Sequence, residues 1–171
     1  EQYADNVLRL HVIANSNTSE DQALKLKVRD AVGSLVSELA AGASSAEETE
    51  QIVREHIDAI QAAAEEKIRE EGYNYPVEIE TGEYYFPTKY YTEGALPAGS
   101  YEAVRVVIGQ GEGENWWCVL FPPLCFSNGA ADPELDQEQQ ENDGVTLRFE
   151  ILEVFQEAKH SLSKFFQKIF K

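Results

Sequence analysis

Side-chain catalysis needs a nucleophile, a base or a set of metal ligands held together, and this chain offers few such groups. Its three histidines, His11, His56 and His160, fall in separate segments, too scattered to define a metal site. No G-x-S-x-G, H-E-x-x-H or C-x-x-C spacing occurs, and no motif calls for a small-molecule cofactor. His56 reads as a solvated helix residue. His11 is the histidine to watch: it shares a polar strand face with Arg9 just before an Asn-rich turn, so His11, Asn15, Asn17 and Arg29 form a candidate polar site. A satisfied structural histidine is the blander reading of the same residue. Gly109, Gly111 and Gly113 are spaced like a phosphate loop, but no lysine or helix follows and Glu112 and Glu114 would repel phosphate; a tight hairpin turn is the expectation.

Cys118 and Cys125 flank Pro122-Pro123, which would end a strand and fold the chain back. One bridge or two buried free thiols both fit the residues alone. A redox role is disfavoured, because Glu114 would raise rather than lower a nearby thiol pKa.

The elements that must position these groups follow from periodicity. Val7 to Ala14 alternates as a strand, with Leu8, Leu10, Val12 and Ala14 on one face and Arg9 and His11 on the other. Ser19 with Gln22 caps a helix carrying Leu24, Val28, Val32, Leu35 and Leu39, and Gly42 stops it. Ser45 with Glu48 caps a second, with Ile52, Val53, Ile57, Ile60, Ala64 and Ile68, which Gly72 ends. Strands are expected from Val77 through Tyr84-Tyr85-Phe86, at Tyr101–Ile108, at Trp116–Phe121 and at Val145–Ile151. The fold class is α+β, a helical hairpin packed on a mainly antiparallel sheet in the order β-α-α-β-β-β-β-α. Residues 128–144 are acidic without a basic residue and read as a flexible loop.

An amphipathic C-terminal helix closes the order. Leu162, Phe165, Phe166, Ile169 and Phe170 form its stripe, and Lys159, Lys164, Lys168 and Lys171 its basic face. Docking on the sheet is the commoner use of such a stripe; contact of Phe165, Phe166, Ile169, Phe170, Lys164 and Lys168 with an anionic membrane surface is the alternative.

Composition bounds the rest. The chain has 171 residues, 43% hydrophobic, enough for a single domain over 1–171 with one core. With 31 acidic residues against 14 basic, the net charge of −17 disfavours nucleic acid as a partner. The longest apolar run, Trp116 to Phe126, holds two prolines and is about half the ~20 residues of a spanning helix. There is no methionine, so Glu1 reads as a processed end or a boundary within a longer chain.

Three blocks go further. Arg9-Leu-His-Val-Ile-Ala-Asn-Ser16 with Asp21-Gln-Ala-Leu-Lys-Leu-Lys-Val-Arg-Asp-Ala-Val32 is the first, and Tyr85-Phe-Pro-Thr-Lys89 the second. The third joins Leu96-Pro-Ala-Gly-Ser-Tyr-Glu-Ala-Val-Arg-Val-Val-Ile-Gly109 to Asn115-Trp-Trp-Cys-Val-Leu-Phe-Pro-Pro-Leu-Cys-Phe126. Together they resemble the stage II sporulation protein R family of endospore-forming Firmicutes, well over 8–126 and not over 128–144. The resemblance implies a signalling protein rather than an enzyme. Such a protein is made in the forespore with a hydrophobic export segment and secreted into the intermembrane space. There it triggers a membrane-embedded aspartic protease of the mother cell, which removes the pro-sequence of a sigma factor. No catalytic residue carries over. Export would favour a Cys118–Cys125 disulfide.

A partner-binding domain needs exposed aromatics and a few charged anchors. Tyr84, Tyr85, Lys89, Tyr90 and Tyr91 are the expected contact cluster, although strand alternation would bury Tyr84 and Phe86, or else Tyr85. Two other readings stay open: an extracytoplasmic, hydrolase-like enzyme with its site at the end of the first strand, and a protein acting at a membrane surface through its last helix.

Overall fold

The computed structural model describes residues 4–91 and 94–125. The strand expected at 145–151, the C-terminal helix with Lys164, Phe165, Phe166, Lys168, Ile169 and Phe170, and the acidic stretch 128–144 lie outside the described residues.

A 3-10 turn at Ala4–Asn6 leads into β1 (Leu8–Ile13). Three helices follow, α1 (Ser19–Leu39), α2 (Ala46–Glu55) and α3 (Ile57–Glu70). The first cap sits one residue earlier than the capping box suggests: the Asp21 backbone N–H donates to Thr18 Oγ1 at 3.2 Å, and Thr18, at φ −64° and ψ 151°, is the extended residue. Ser45 caps α2 through the Glu48 N–H at 3.0 Å, while the Glu48 carboxylate accepts from the Ser44 N–H and hydroxyl. The second expected helix is two. His56, at φ −118° and ψ 20°, breaks it, and its Nδ1 lies 2.8 Å from the Ile52 carbonyl oxygen. Gly72, at φ +88°, reverses the chain after α3, a conformation that favours glycine.

The remaining strands are β2 (Val77–Phe86), β3 (Lys89–Tyr91), β4 (Gly94–Leu96), β5 (Gly99–Ile108) and β6 (Asn115–Phe121). β3 and β4 form a small separate ribbon that periodicity did not predict. The main sheet runs β2-β5-β1-β6, with β1 parallel to β5 and antiparallel to β6, and β2 antiparallel to β5. Two of its three pairings are antiparallel, as the α+β class expects.

One connection corrects the sequence reading. The Gly109–Gly113 segment is not a hairpin turn, because β1 lies between β5 and β6. The segment instead crosses the C-terminal end of β1 and clasps it: the Gly113 N–H donates to Ala14 O at 2.9 Å and the Glu112 N–H to Asn15 O at 3.2 Å. Burial explains the insertion. Every residue of β1 is buried, so it takes the position with a strand on each edge and a layer on each face.

The helix side of the sheet holds the larger core. Leu8, Leu10, Val12, Val104, Val106, Ile108, Cys118 and Leu120 pack there on Leu24, Val28, Val32, Val53, Ile60 and Ile68 of the helices. Among the described residues no helix is long and apolar enough to cross a membrane.

Candidate functional site

Strand alternation fixes what the other face of the sheet presents. From β1 come Arg9 and His11, from β5 Tyr101, Ala103 and Arg105, from β6 Trp117 and Val119, and from β2 Glu80, Gly82, Tyr84 and Phe86. The register sets Trp117, His11, Arg105 and Glu80 in one row across all four strands, with Val119, Arg9, Ala103 and Gly82 in the next.

Arg9, placed by alternation on the polar face of the first strand, is fully buried here. Its guanidinium packs 4.2 Å from the Phe86 ring centroid and 4.7 Å from that of Tyr101. Two desolvated cation–π contacts of this kind offset part of the burial cost of the charge. The neighbours in its row, Ala103 and Gly82, are small. Phe86 is opposite Gly99 on its own ladder and also reaches Trp117, at 4.9 Å between centroids.

His11 stacks on Trp117, and its Nε2 lies 2.8 Å from Asn115 Oδ1. An amide oxygen only accepts, so Nε2 carries the proton of the neutral ring. Burial holds the imidazole below its usual titration range; the Asn115 hydrogen bond opposes this, and Arg105 and Arg9 reinforce it. Tyr84 donates to Glu80 Oε2 at 3.3 Å, and the Arg105 guanidinium lies 5.5 Å from its ring centroid.

The four residues of the candidate polar site are not brought together. Asn15 donates to Asp21 Oδ2 at 2.8 Å and accepts from the Gln110 N–H at 2.9 Å, and Asn17 accepts from the Glu114 N–H at 2.7 Å. Both fasten the β1–α1 loop to the β5–β6 crossing. Burial alone would raise the Asp21 carboxyl, but hydrogen bonds from Ser16, Asn15, Tyr75 and Thr18 outweigh it and hold the group below its usual range. Arg29 is on the helix side, 4.4 Å above Trp116 and paired with Asp30, with the sheet between it and His11.

The tyrosine cluster is divided too. Tyr84 and Phe86 face the aromatic layer, whereas Tyr85 points the other way and is 70% exposed. Lys89, Tyr90 and Tyr91 belong to β3, away from that ladder. Cys118 and Cys125 are joined by a disulfide with Cα atoms 5.4 Å apart, tying the chain after β6 back to the strand. Arg105, Trp117 and Asn115 went unremarked as site residues in the sequence. Their parity with Arg9 and His11 was available only once β5 and β6 were known to flank β1.

Fold and face together define an α+β domain in which helices cover one side of a four-stranded sheet and an arginine–aromatic layer closes the other, with one disulfide at the edge. The family of stage II sporulation protein R (spore_II_R) matches residues 4–131, and the chain belongs to it. Stage II sporulation protein R of Bacillus subtilis (strain 168) is 41% identical over 138 residues, which are 79% of this chain and 62% of that protein. The chain therefore spans less than two thirds of the length of that relative. No solved structure matches the chain.

Proposed function

We propose that this chain is an intercompartmental signal of sporulation. It is secreted from the forespore into the intermembrane space, where it activates a membrane-embedded aspartic protease of the mother cell and so leads to processing of a pro-sigma factor. Membership of the stage II sporulation protein R family carries the reading. The Cys118–Cys125 disulfide supports an extracytoplasmic site of action, since such bonds persist outside the cytosolic thiol buffer. The separation of His11 from Arg29 by the sheet weakens the hydrolase-like alternative, whose residues would have to converge.

Reconstitution tests the proposal. The receptor protease and the pro-form of its sigma factor are co-expressed in vegetative cells, with and without this chain behind an export signal, and processing is scored on an immunoblot. Processing that depends on the chain and survives His11→Ala is the expected result. Absence of processing with the cognate receptor present would overturn the proposal. Loss with a folded His11→Ala variant would return the enzyme reading or place His11 in the contact surface.

A further inference from the structure

We infer that the sheet face opposite the helices is a carboxylate-recognition surface centred on Arg105, and that its ligand is a glutamate- or aspartate-bearing segment of a protein partner. The inference deepens the signalling proposal and rests on it only for which protein supplies that segment.

Arg105 is in the middle of the row Trp117, His11, Arg105, Glu80. Its Nε is enclosed with no hydrogen-bond acceptor. Among the described residues no carboxylate closes an ion pair on its guanidinium. Glu80, its neighbour across the ladder, is instead engaged by the Tyr84 hydroxyl. In a chain with 31 acidic groups and 14 basic ones, a half-buried arginine that meets no acid among the described residues is anomalous. The enclosed Nε is out of a ligand's reach, so a ligand meets the guanidinium through its terminal nitrogens, and an acceptor there offsets the cost of keeping the charged group half-buried.

The chemistry of that acceptor follows from the surroundings. A guanidinium presents a planar fork of donors that a carboxylate meets with two parallel hydrogen bonds. Tyr84 beneath it and the half-buried Trp117 along the row offer aromatic surface to the residues flanking such a carboxylate. A phosphate or nucleic acid would bring more negative charge towards Glu78, Glu80 and a chain of net charge −17. A single carboxylate on a peptide meets less repulsion and gains the aromatic contacts.

The test uses the full oxidised chain, 15N-labelled, and the peptide acetyl-Tyr-Glu-amide, which carries one carboxylate, with acetyl-Tyr-Gln-amide as its uncharged counterpart. The Arg105 Nε–Hε resonance should move saturably with the glutamate peptide alone. Binding followed on the backbone amides of β5 should weaken at least tenfold in R105Q and in R105K, which keeps the charge but not the fork. The wild-type titration stands even if either variant folds poorly. No saturable shift, or an equal one with the glutamine peptide, would overturn the inference. So would tighter binding of inorganic phosphate, which would mark a general anion site. A shift seen only after deletion of residues 128–144 would show that the chain's own acidic stretch is the occupant, and would also overturn it. No receptor enters this experiment, so its failure and that of the signalling proposal are separate results.

Discussion

The imidazole of His11 lies face to face on the indole of Trp117, with centroids 3.9 Å apart and ring planes 13° from parallel. Burial under that ring, together with Arg105 and Arg9 nearby, outweighs the Asn115 hydrogen bond and keeps the folded imidazole neutral to lower pH than in an open chain. Acidification should therefore destabilise the domain. As pH falls below the ordinary histidine value of 6.5, the unfolded chain takes up the proton first. The stabilisation is complete above that value and is lost as pH falls through the folded one. The slope from this single group is at most about 1.4 kcal/mol per pH unit. Urea unfolding of wild type and H11Q across the window checks it. The difference between the two chains should shrink as pH falls, and a difference independent of pH would refute the assignment. The Glu102 carboxyl, raised by burial and by Glu50 and Glu83, acts with the opposite sign in both chains and cancels.

Glycine substitutions should separate the clasp over β1 from an ordinary turn. A Cβ on Gly113 would stand 2.4 Å from the Ser16 carbonyl oxygen and 2.7 Å from Ala14 Cβ, whereas one on Gly42 meets nothing within 4 Å. G113A should cost about 1–3 kcal/mol, the usual range for overpacking against atoms that cannot move aside. G42A should be neutral or stabilising by up to about 1 kcal/mol, through the unfolded chain. G109A should resemble G113A, because Gly109 is at φ +57° and its Cβ would displace Asn15 Oδ1 from the Gln110 N–H. Thermal unfolding of the three variants reads the order directly.

The contrast between these glycines also shows where sequence reasoning reached its limit. The parity of β1 was legible because the five residues Leu8 to Val12 alternate apolar and polar, and the stripes of α1 and of the following helices were legible from their own helical period. The break at His56 was not, since Ile52, Val53, Ile57 and Ile60 keep one stripe running across it. The ribbon of β3 and β4 is three residues a strand, too short for a period to register. The insertion of β1 between β5 and β6 depends on contacts such as Gly113 with Ala14, far apart in sequence, which no local pattern encodes. Alternation puts Arg9 on the polar face of β1 but does not say what covers that face. The rings of Phe86 and Tyr101 that bury it come from remote strands.

The disulfide should contribute measurably despite its short loop. Cys118 and Cys125 are separated by 7 in sequence, and the chain-entropy model assigns such a closure about 2.5 kcal/mol. Urea unfolding of the C118S/C125S double variant should show a loss near that size, with an unchanged slope if the unfolded state is otherwise alike. Electrospray mass of the non-reduced, alkylated protein should show no added alkyl group. Two added groups would mean free thiols and would remove a support for an extracytoplasmic site of action.

The adjacent tyrosines of β2 offer the sharpest test of which side of the sheet meets a partner. Tyr85 is 70% exposed and is on the helix-side parity of the strand, while Tyr84 lies on the other side, donates to Glu80 and underlies Arg105. Truncating Tyr85 removes little packing, so Y85A should change stability by no more than about 0.5 kcal/mol. Y84A removes a half-buried ring and a hydrogen bond and should cost more, about 1–2 kcal/mol. Peptide binding and pro-sigma processing should follow the same split: Y84A weakens both by removing the platform for Arg105, Y84F keeps the ring and most of the binding, and Y85A leaves both near wild type. The reverse result, processing lost in Y85A with binding intact in Y84A, would move the contact surface to the opposite side of the sheet, since strand alternation prevents neighbouring side chains from serving one flat interface.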